Sequence, residues 1–493
     1  MSARRRPVMH RKKKKTKRRR GDARPRRALG IAAPDTGFPI RHIVLLMLEN
    51  RSFDQMLGML QSEMPHLDGV PPTGPPRSNQ DRKGRRYLQG AGAPGKVKPD
   101  PPHDYPAVVE QLEAANTGFV KSYSHAHPGA SQAEQQQVMA CYAPDKLPAL
   151  HALARQFVVC DGWHCSVPGP TWTNRLFAMS GTSAGRLKMP EGLFEPNLHR
   201  YPQPSVFRRL SEAKRRYSIY FGDFPLALLL EDQRAVEAVS HFRRLSQFFD
   251  DAKRAEPQFP EFAFLEPDYL WPGANDDHPP HDVARGQALL ADVYDAIRGN
   301  AALWQSTLLV VSYDEHGGFY DHVASPPGVP PNRQPGEYGF AFDQLGVRVP
   351  TVLVSPWLDP QVLHGTFDHT SLLRMLQNLW GLGNLGDRTA AAKSPLDAVA
   401  IRPTPRVDAP LTLPRPRASL VRRLTAAAPE AAEPLSDGQR AILAFSEYLE
   451  VLEPAPARKR ASFAARKHRG PTAGAAVARE RALHFLRARG ANL

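Results

Sequence analysis

Asp314 and Glu315 stand side by side at the end of an apolar run, Leu308-Leu309-Val310-Val311-Ser312-Tyr313, and lead into Gly317-Gly318-Phe319-Tyr320-Asp321-His322. Two adjacent carboxylates leaving a buried segment are costly unless something positive compensates them. Their hard oxygens suit Mg²⁺, Ca²⁺ or Mn²⁺, and carboxylates also ligate zinc. An acid pair at a strand end is, taken alone, a solvated loop start. The glycines that follow let the backbone wrap closely around a bound group and turn the reading toward a cation. Glu49-Asn50, after another apolar run, offers a second acid and an amide oxygen. The competing account is helix capping, with Asn50 as the cap and Asp54 in the first turn. Arg51 is either a substrate contact or a partner in a surface ion pair.

Thr171 is the hydroxyl placed for chemistry. It follows Gly169-Pro170, a rigid and narrow turn, and precedes a helix expected over Asn174–Ser180. Helix-terminal N–H groups there can hold an anion. Threonine needs a metal or a base to become a nucleophile, and the alternative is that Thr171 simply caps the helix. His103, His278, His322 and His369 can each donate a proton or bind phosphoryl oxygens. With eighteen histidines in the chain, spacing does not choose among them.

Something must bring these distant groups together. Residues 40–48, 157–160, 308–313 and 349–354 are short apolar runs of the kind that form buried parallel strands. Helical patterns around 284–298 and 370–380 alternate with them. This predicts an α/β fold with a mainly parallel central sheet flanked by helices. In such sheets ligands gather at the carboxyl ends of the strands. Polar clusters follow three of the four runs, so three strand ends can converge on one site. Residues 63–104 read as a long surface excursion, and 187–262 as a possible cap or substrate region. The expected catalytic domain spans 38–400, followed by a Pro-rich linker over 401–435. Residues 436–493 read as a helical, partly disordered tail, with one capped helix over 436–451 and a basic, Ala-rich last forty or so residues that need not pack on the body.

The net charge of +16 is not spread over the molecule. Residues 1–30 carry fifteen Lys/Arg against the single acid Asp22, leaving about +2 for the rest. Such a block repels itself, so 1–37 is expected to be a disordered basic arm that can contact anionic lipid or nucleic acid. No secretory signal or membrane span is readable, and the compartment stays open. Cys141, Cys160 and Cys165 are an odd number, read as core cysteines and not as a disulfide framework. Nothing here bears on oligomeric state.

Taken together, Glu49-Asn50-Arg51-Ser52-Phe53-Asp54, Gly169-Pro170-Thr171 through Asn174-Arg175, Asp277-His278-Pro279 with Gly286, Asp314-Glu315 through His322, and Asp368 through Arg374 resemble a bacterial phosphoesterase family. That family includes phosphatidylcholine-type phospholipase C and an acid phosphatase. The segments fall in the family's order over roughly residues 38–385. The resemblance implies an alkaline-phosphatase-like fold and one or more divalent metal ions held by Glu49, Asn50, Asp314 and Glu315. It implies Thr171 as both metal ligand and nucleophile, with His278 and His103 lining the phosphate pocket and His278 protonating the leaving group. Arg51, Asn174 and His322 are the expected substrate contacts. Two departures stand out: Thr173 replaces the family's usual proline, and the export signal of the familiar relatives is missing.

The expected function is therefore metal-dependent hydrolysis of a phosphate ester of the phospholipase C type, with phospholipid among the candidate substrates. An acid phosphomonoesterase on the same fold is the alternative. A reading of another class is a non-catalytic protein that binds nucleic acid or membrane through the basic arm. A sulfatase is disfavoured because no Cys-x-Pro-x-Arg motif occurs.

Overall fold

The computed structural model describes residues 37–190, 200–270, 273–417, 435–452 and 471–493. The basic arm up to residue 36 lies outside these residues, as do 191–199 of the expected cap, 418–434 of the linker and 453–470 of the tail.

One sheet of eight strands runs through the body: β1 (His42–Leu48), β2 (Val158–Cys160), β3 (Tyr217–Phe221), β4 (Phe242–Arg244), β5 (Phe262–Glu266), β6 (Thr307–Tyr313), β7 (Thr351–Val354) and β8 (Gln361–Leu363). Their spatial order is β8-β2-β7-β6-β1-β5-β3-β4. Only β7 runs against its neighbours, β6 and β2. The four strands expected from apolar runs are present at β1, β2, β6 and β7. Every residue of β1 and β6 is buried, as a central strand covered on both faces requires.

The register positions the chemistry. Leu48 pairs with Tyr313, so Glu49 and Asp314 leave the sheet side by side, and the Asp314 amide donates to the Leu48 carbonyl at 3.1 Å. Gly317 then bends back under the Asn50 backbone with φ 64°. A Cβ at Gly317 would lie 2.2 Å from the Asn50 carbonyl oxygen, so the close wrap needs glycine here.

The helices that matter for the site are α1 (Thr171–Ser180), α2 (Val283–Gly299), α3 (His369–Trp380), α4 (Asp437–Val451) and α5 (Pro471–Ala488). The first packs beside α3, and α4 packs on α5. No helix among the described residues is long and apolar enough to cross a membrane. The three cysteines are buried and free.

Three expectations about organisation are corrected. Residues 187–262 are not simply a cap, because Tyr217–Phe221 and Phe242–Arg244 extend the central sheet as β3 and β4. The run Tyr-Ser-Ile-Tyr-Phe is short and interrupted by serine, which hid it from an apolar-run reading. Residues 401–417 do not behave as a free linker. The Arg406 guanidinium reaches the Gln156 backbone and stacks over Phe157, Tyr294 donates to the Pro410 carbonyl at 2.6 Å, and Leu413 enters the core. Finally, the two C-terminal helices do pack on the body. Ile442, Phe445, Leu449, Phe485 and Leu486 belong to the same hydrophobic cluster as β1 and α1.

Candidate active site

At the end of β1, Asn50 takes a left-handed conformation (φ 57°), which asparagine tolerates better than most residues. Ser52, not Asn50, caps the short helix that follows. The turn leaves the Asn50 side chain free to bridge two other segments. Its Oδ1 accepts from Thr171 Oγ1 at 3.2 Å, and its Nδ2 lies 3.2 Å from His103 Nε2.

Thr171 does not cap its helix either. Pro170 is the cap residue, no side chain caps the helix, and Thr171 occupies the first helical position. The Asn174 side chain holds the turn, with Nδ2 donating to the Val167, Gly169 and Pro170 carbonyls while Oδ1 accepts from the Val167 amide. The first amides of α1 thus lie beside a buried hydroxyl at a helix N-terminus.

Arg175, one turn further along α1, is the cation for the acids. Its Nε donates to Asp314 Oδ2 at 2.9 Å, and its Nη2 is 3.3 Å from Glu49 Oε1. Burial, opposed by Arg175 and reinforced by Glu315, pushes the Asp314 carboxyl up to about 6. Burial also raises Glu49 well above the usual range; Arg175 opposes this and Asp314 adds to it. The Asp314 backbone carbonyl accepts from His369 Nε2 at 2.6 Å, and burial lowers His369 to about 4, so that ring is neutral.

His103 arrives from the long excursion and His278 from the loop after β5, with their rings in an edge contact 5.5 Å between centroids. In each ring Nδ1 faces a backbone carbonyl: that of Pro101 at 2.7 Å for His103 and that of Pro279 for His278. Each Nε2 faces a carboxylate of α4. Asp437 lies 3.0 Å from His103 Nε2 and 3.6 Å from His278 Nε2. Burial works against both imidazolium charges, but the surrounding acids prevail. Asp437 and Glu315 hold His103 well above its usual value, and Asp100 with Asp437 raises His278 to about 10.

The structure brings Glu49, Asn50, Thr171, Asp314, Glu315, His103 and His278 into one buried group. The side-chain polar contacts of Arg51, Asn174 and His322 lie outside this group. Arg51 is fully buried and so makes no surface ion pair, with Nε donating to the Asp277 carbonyl at 2.8 Å, the guanidinium over Phe319 and Nη2 without a hydrogen-bond partner. Asn174 is engaged within its own turn. His322 belongs to a separate network, 2.8 Å from Asp54 and 3.0 Å from Asp68, where Arg348 also pairs with Asp54 and Asp321. Sequence reasoning missed Arg175 as a site residue, although its i+4 spacing from Thr171 puts both on one helix face. It also missed Asp437, for which no local signal exists.

Two clusters of acids and histidines among the described residues have the reach to hold a metal ion: Asp100, His103, His278 and Asp437, and Asp54, Asp321 and His322. The expected set of Glu49, Asn50, Asp314 and Glu315 also fits a hard cation by its donors. Glu315 Oε1 is buried with no hydrogen-bond partner in the structure. Of the three buried carboxylates there, Glu49 and Asp314 share the Arg175 guanidinium, and Glu315 has the His316 and His103 rings near it, at 3.2 and 4.0 Å.

Acids, imidazoles and a buried hydroxyl gathered at the carboxyl ends of a mainly parallel sheet define a hydrolase acting on ester bonds. More particularly, the chain belongs to the Phosphoesterase family, whose sequence profile matches residues 40–383. It is 36% identical over 412 residues to non-specific phospholipase C3 of Arabidopsis thaliana, covering 77% of each chain. It is 30% identical over 398 residues to phospholipase C B of Mycobacterium tuberculosis, covering 70% of this chain and 74% of that one. Among solved structures, a protein in the alkaline phosphatase superfamily from Vibrio parahaemolyticus is 12% identical with a TM-score of 0.29, over 52% of this chain and 67% of that one.

Proposed function

We propose that the protein is a metal-dependent phosphoesterase of the phospholipase C type, cleaving a phosphodiester through Thr171. The carrying observation is the placement of the Thr171 hydroxyl: buried, at an uncapped helix N-terminus, and hydrogen-bonded to Asn50 among three carboxylates. The similarity to plant and mycobacterial proteins named phospholipase C supports a phospholipid diester as substrate.

Glu49, Asn50, Asp314, Glu315 and Thr171 would hold a divalent cation, which when bound supplies Lewis acidity to the hydroxyl and to phosphoryl oxygens. Thr171 Oγ, its proton passed to a neighbouring carboxylate of the group, attacks phosphorus while the N-terminal amides of α1 hold the developing charge. His278, carrying its proton on Nε2, protonates the departing alcohol. His103 grips a phosphoryl oxygen. Water then releases the phosphoryl group from Thr171. Arg175 orients Asp314 and Glu49 and opposes the protonation that their burial favours.

Thr171→Ala should reduce turnover of p-nitrophenyl phosphorylcholine by about 10³-fold or more, with substrate binding retained. Chelation should silence the wild type, and metal added back should restore it. Near-wild-type turnover in T171A would remove the nucleophile assignment, and chelator-insensitive activity would remove the cation. Faster hydrolysis of p-nitrophenyl phosphate than of the diester would favour a monoesterase.

A further inference from the structure

The two imidazoles of the site already hold an anion, and it comes from the protein. Nδ1 of His103 and of His278 is tied to a backbone carbonyl, so Nε2 is the nitrogen each ring offers to a ligand. His103 Nε2 lies 3.0 Å from Asp437 Oδ2, and His278 Nε2 points at the other carboxylate oxygen from 3.6 Å, too far for a hydrogen bond and otherwise unpartnered. His103 Nε2 also lies next to the Asn50 amide that contacts Thr171, so this carboxylate sits on the reacting side of the rings.

The helix that carries Asp437 seals the site. Ser436, Gly438 and Gln439 line, with Glu49, Thr171 and Trp172, a remaining cavity of about 10 Å³. That is room for about one water molecule and not for a phosphoryl group. The helix is seated firmly. Gln439 Nε2 donates to the Tyr269 carbonyl at 3.1 Å, and Phe445 meets Trp172 edge-on at 5.9 Å.

We propose that α4 is an internal occupant of the phosphoryl-binding site, with the Asp437 carboxylate standing where an oxyanion of the substrate binds. An ester reaches Thr171 only when α4 withdraws, so substrate and inorganic phosphate compete with Asp437 for the two imidazoles. This inference rests on the reading of His103 and His278 as phosphate ligands.

The test compares the full-length wild type with Asp437→Asn, which keeps the shape and the Ser436 cap but removes the charge. If Asp437 competes, the KM for p-nitrophenyl phosphorylcholine and the inhibition constant of inorganic phosphate both fall, by about tenfold. Gln439→Ala, which loosens the seat of α4 on Tyr269 and His281 without touching His103 or His278, should move both constants the same way. In wild-type protein, inorganic phosphate should speed hydrogen exchange in residues 437–451. A fall in kcat with both constants unchanged would make Asp437 a positioning residue for the histidines and overturn the proposal. Phosphate inhibition with no change in exchange over 437–451 would overturn it too. Active wild-type protein whose phosphate constants ignore both substitutions refutes this inference alone. Wild-type protein inert on every ester, and indistinguishable from Thr171→Ala, refutes the phosphoesterase reading and this inference together.

Discussion

Single side chains here do different work from the one their type suggests. His322 sits in a family motif next to the candidate site, yet its partners are Asp54 and Asp68, and Arg348 closes the network. Burial opposes its charge, but the bonds to Asp54 and Asp68 outweigh burial and raise it to about 9 from an ordinary 6.5. The folded state therefore binds this proton more tightly than the unfolded chain. Its contribution to stability is complete below pH 6.5 and is lost as pH rises through about 9. His322→Gln should lower the melting temperature at pH 6, and the variant should lose less on going to pH 9 than the wild type does. Equal slopes for the two proteins would show that His322 is not charged in the fold. Glu49, Asn50, Thr171, Asp314 and Glu315 stood out in the sequence because each follows a strand end or a tight turn, but only the ordered family motifs favoured a site over helix capping for Asn50 and Thr171. The separation of His322 from them was not, because it depends on which acids the folded loops bring to the ring.

At the scale of elements, the site is a product of register. Because Leu48 lies opposite Tyr313, two strands far apart in sequence release their acids at one level, and Gly317 wraps under Asn50. Gly317→Ala would force a Cβ to within 2.2 Å of the Asn50 carbonyl at a positive φ. Relief means moving Asn50, which touches both Thr171 and His103. The expected result is a loss of about 1–3 kcal/mol in denaturant unfolding, with activity falling further than stability accounts for. A fully active, equally stable variant would show that the loop is not tightly set. β1 and β6 were readable as unbroken apolar runs, the signature of strands buried on both faces. By contrast, β3 and β4 were not: serine interrupts the fully buried β3, and β4 is three residues at the sheet edge with two half-buried arginines.

Across the whole molecule, the C-terminal helices are part of the body, not an appendage. Phe445 packs against Trp172 and Phe224, and Phe485 and Leu486 join the main core. A chain ending at residue 417 should therefore melt several degrees lower and expose apolar surface to a reporter dye; unchanged melting would show that the helices contribute no core. The sequence by itself determined the α/β class, four of the eight strands, and the groups that converge at the strand ends, because continuous apolar runs and glycine-rich turns are local physical signals. Only the tertiary structure decided that Arg406, Ala409 and Leu413 of 401–417 and the terminal helices pack on the body, that Arg175 pairs with Glu49 and Asp314, and that Asp437 lies beside His103 and His278. Those pairings join residues with no sequence spacing between them to read, and they exist because packing places one element's side chains against another's.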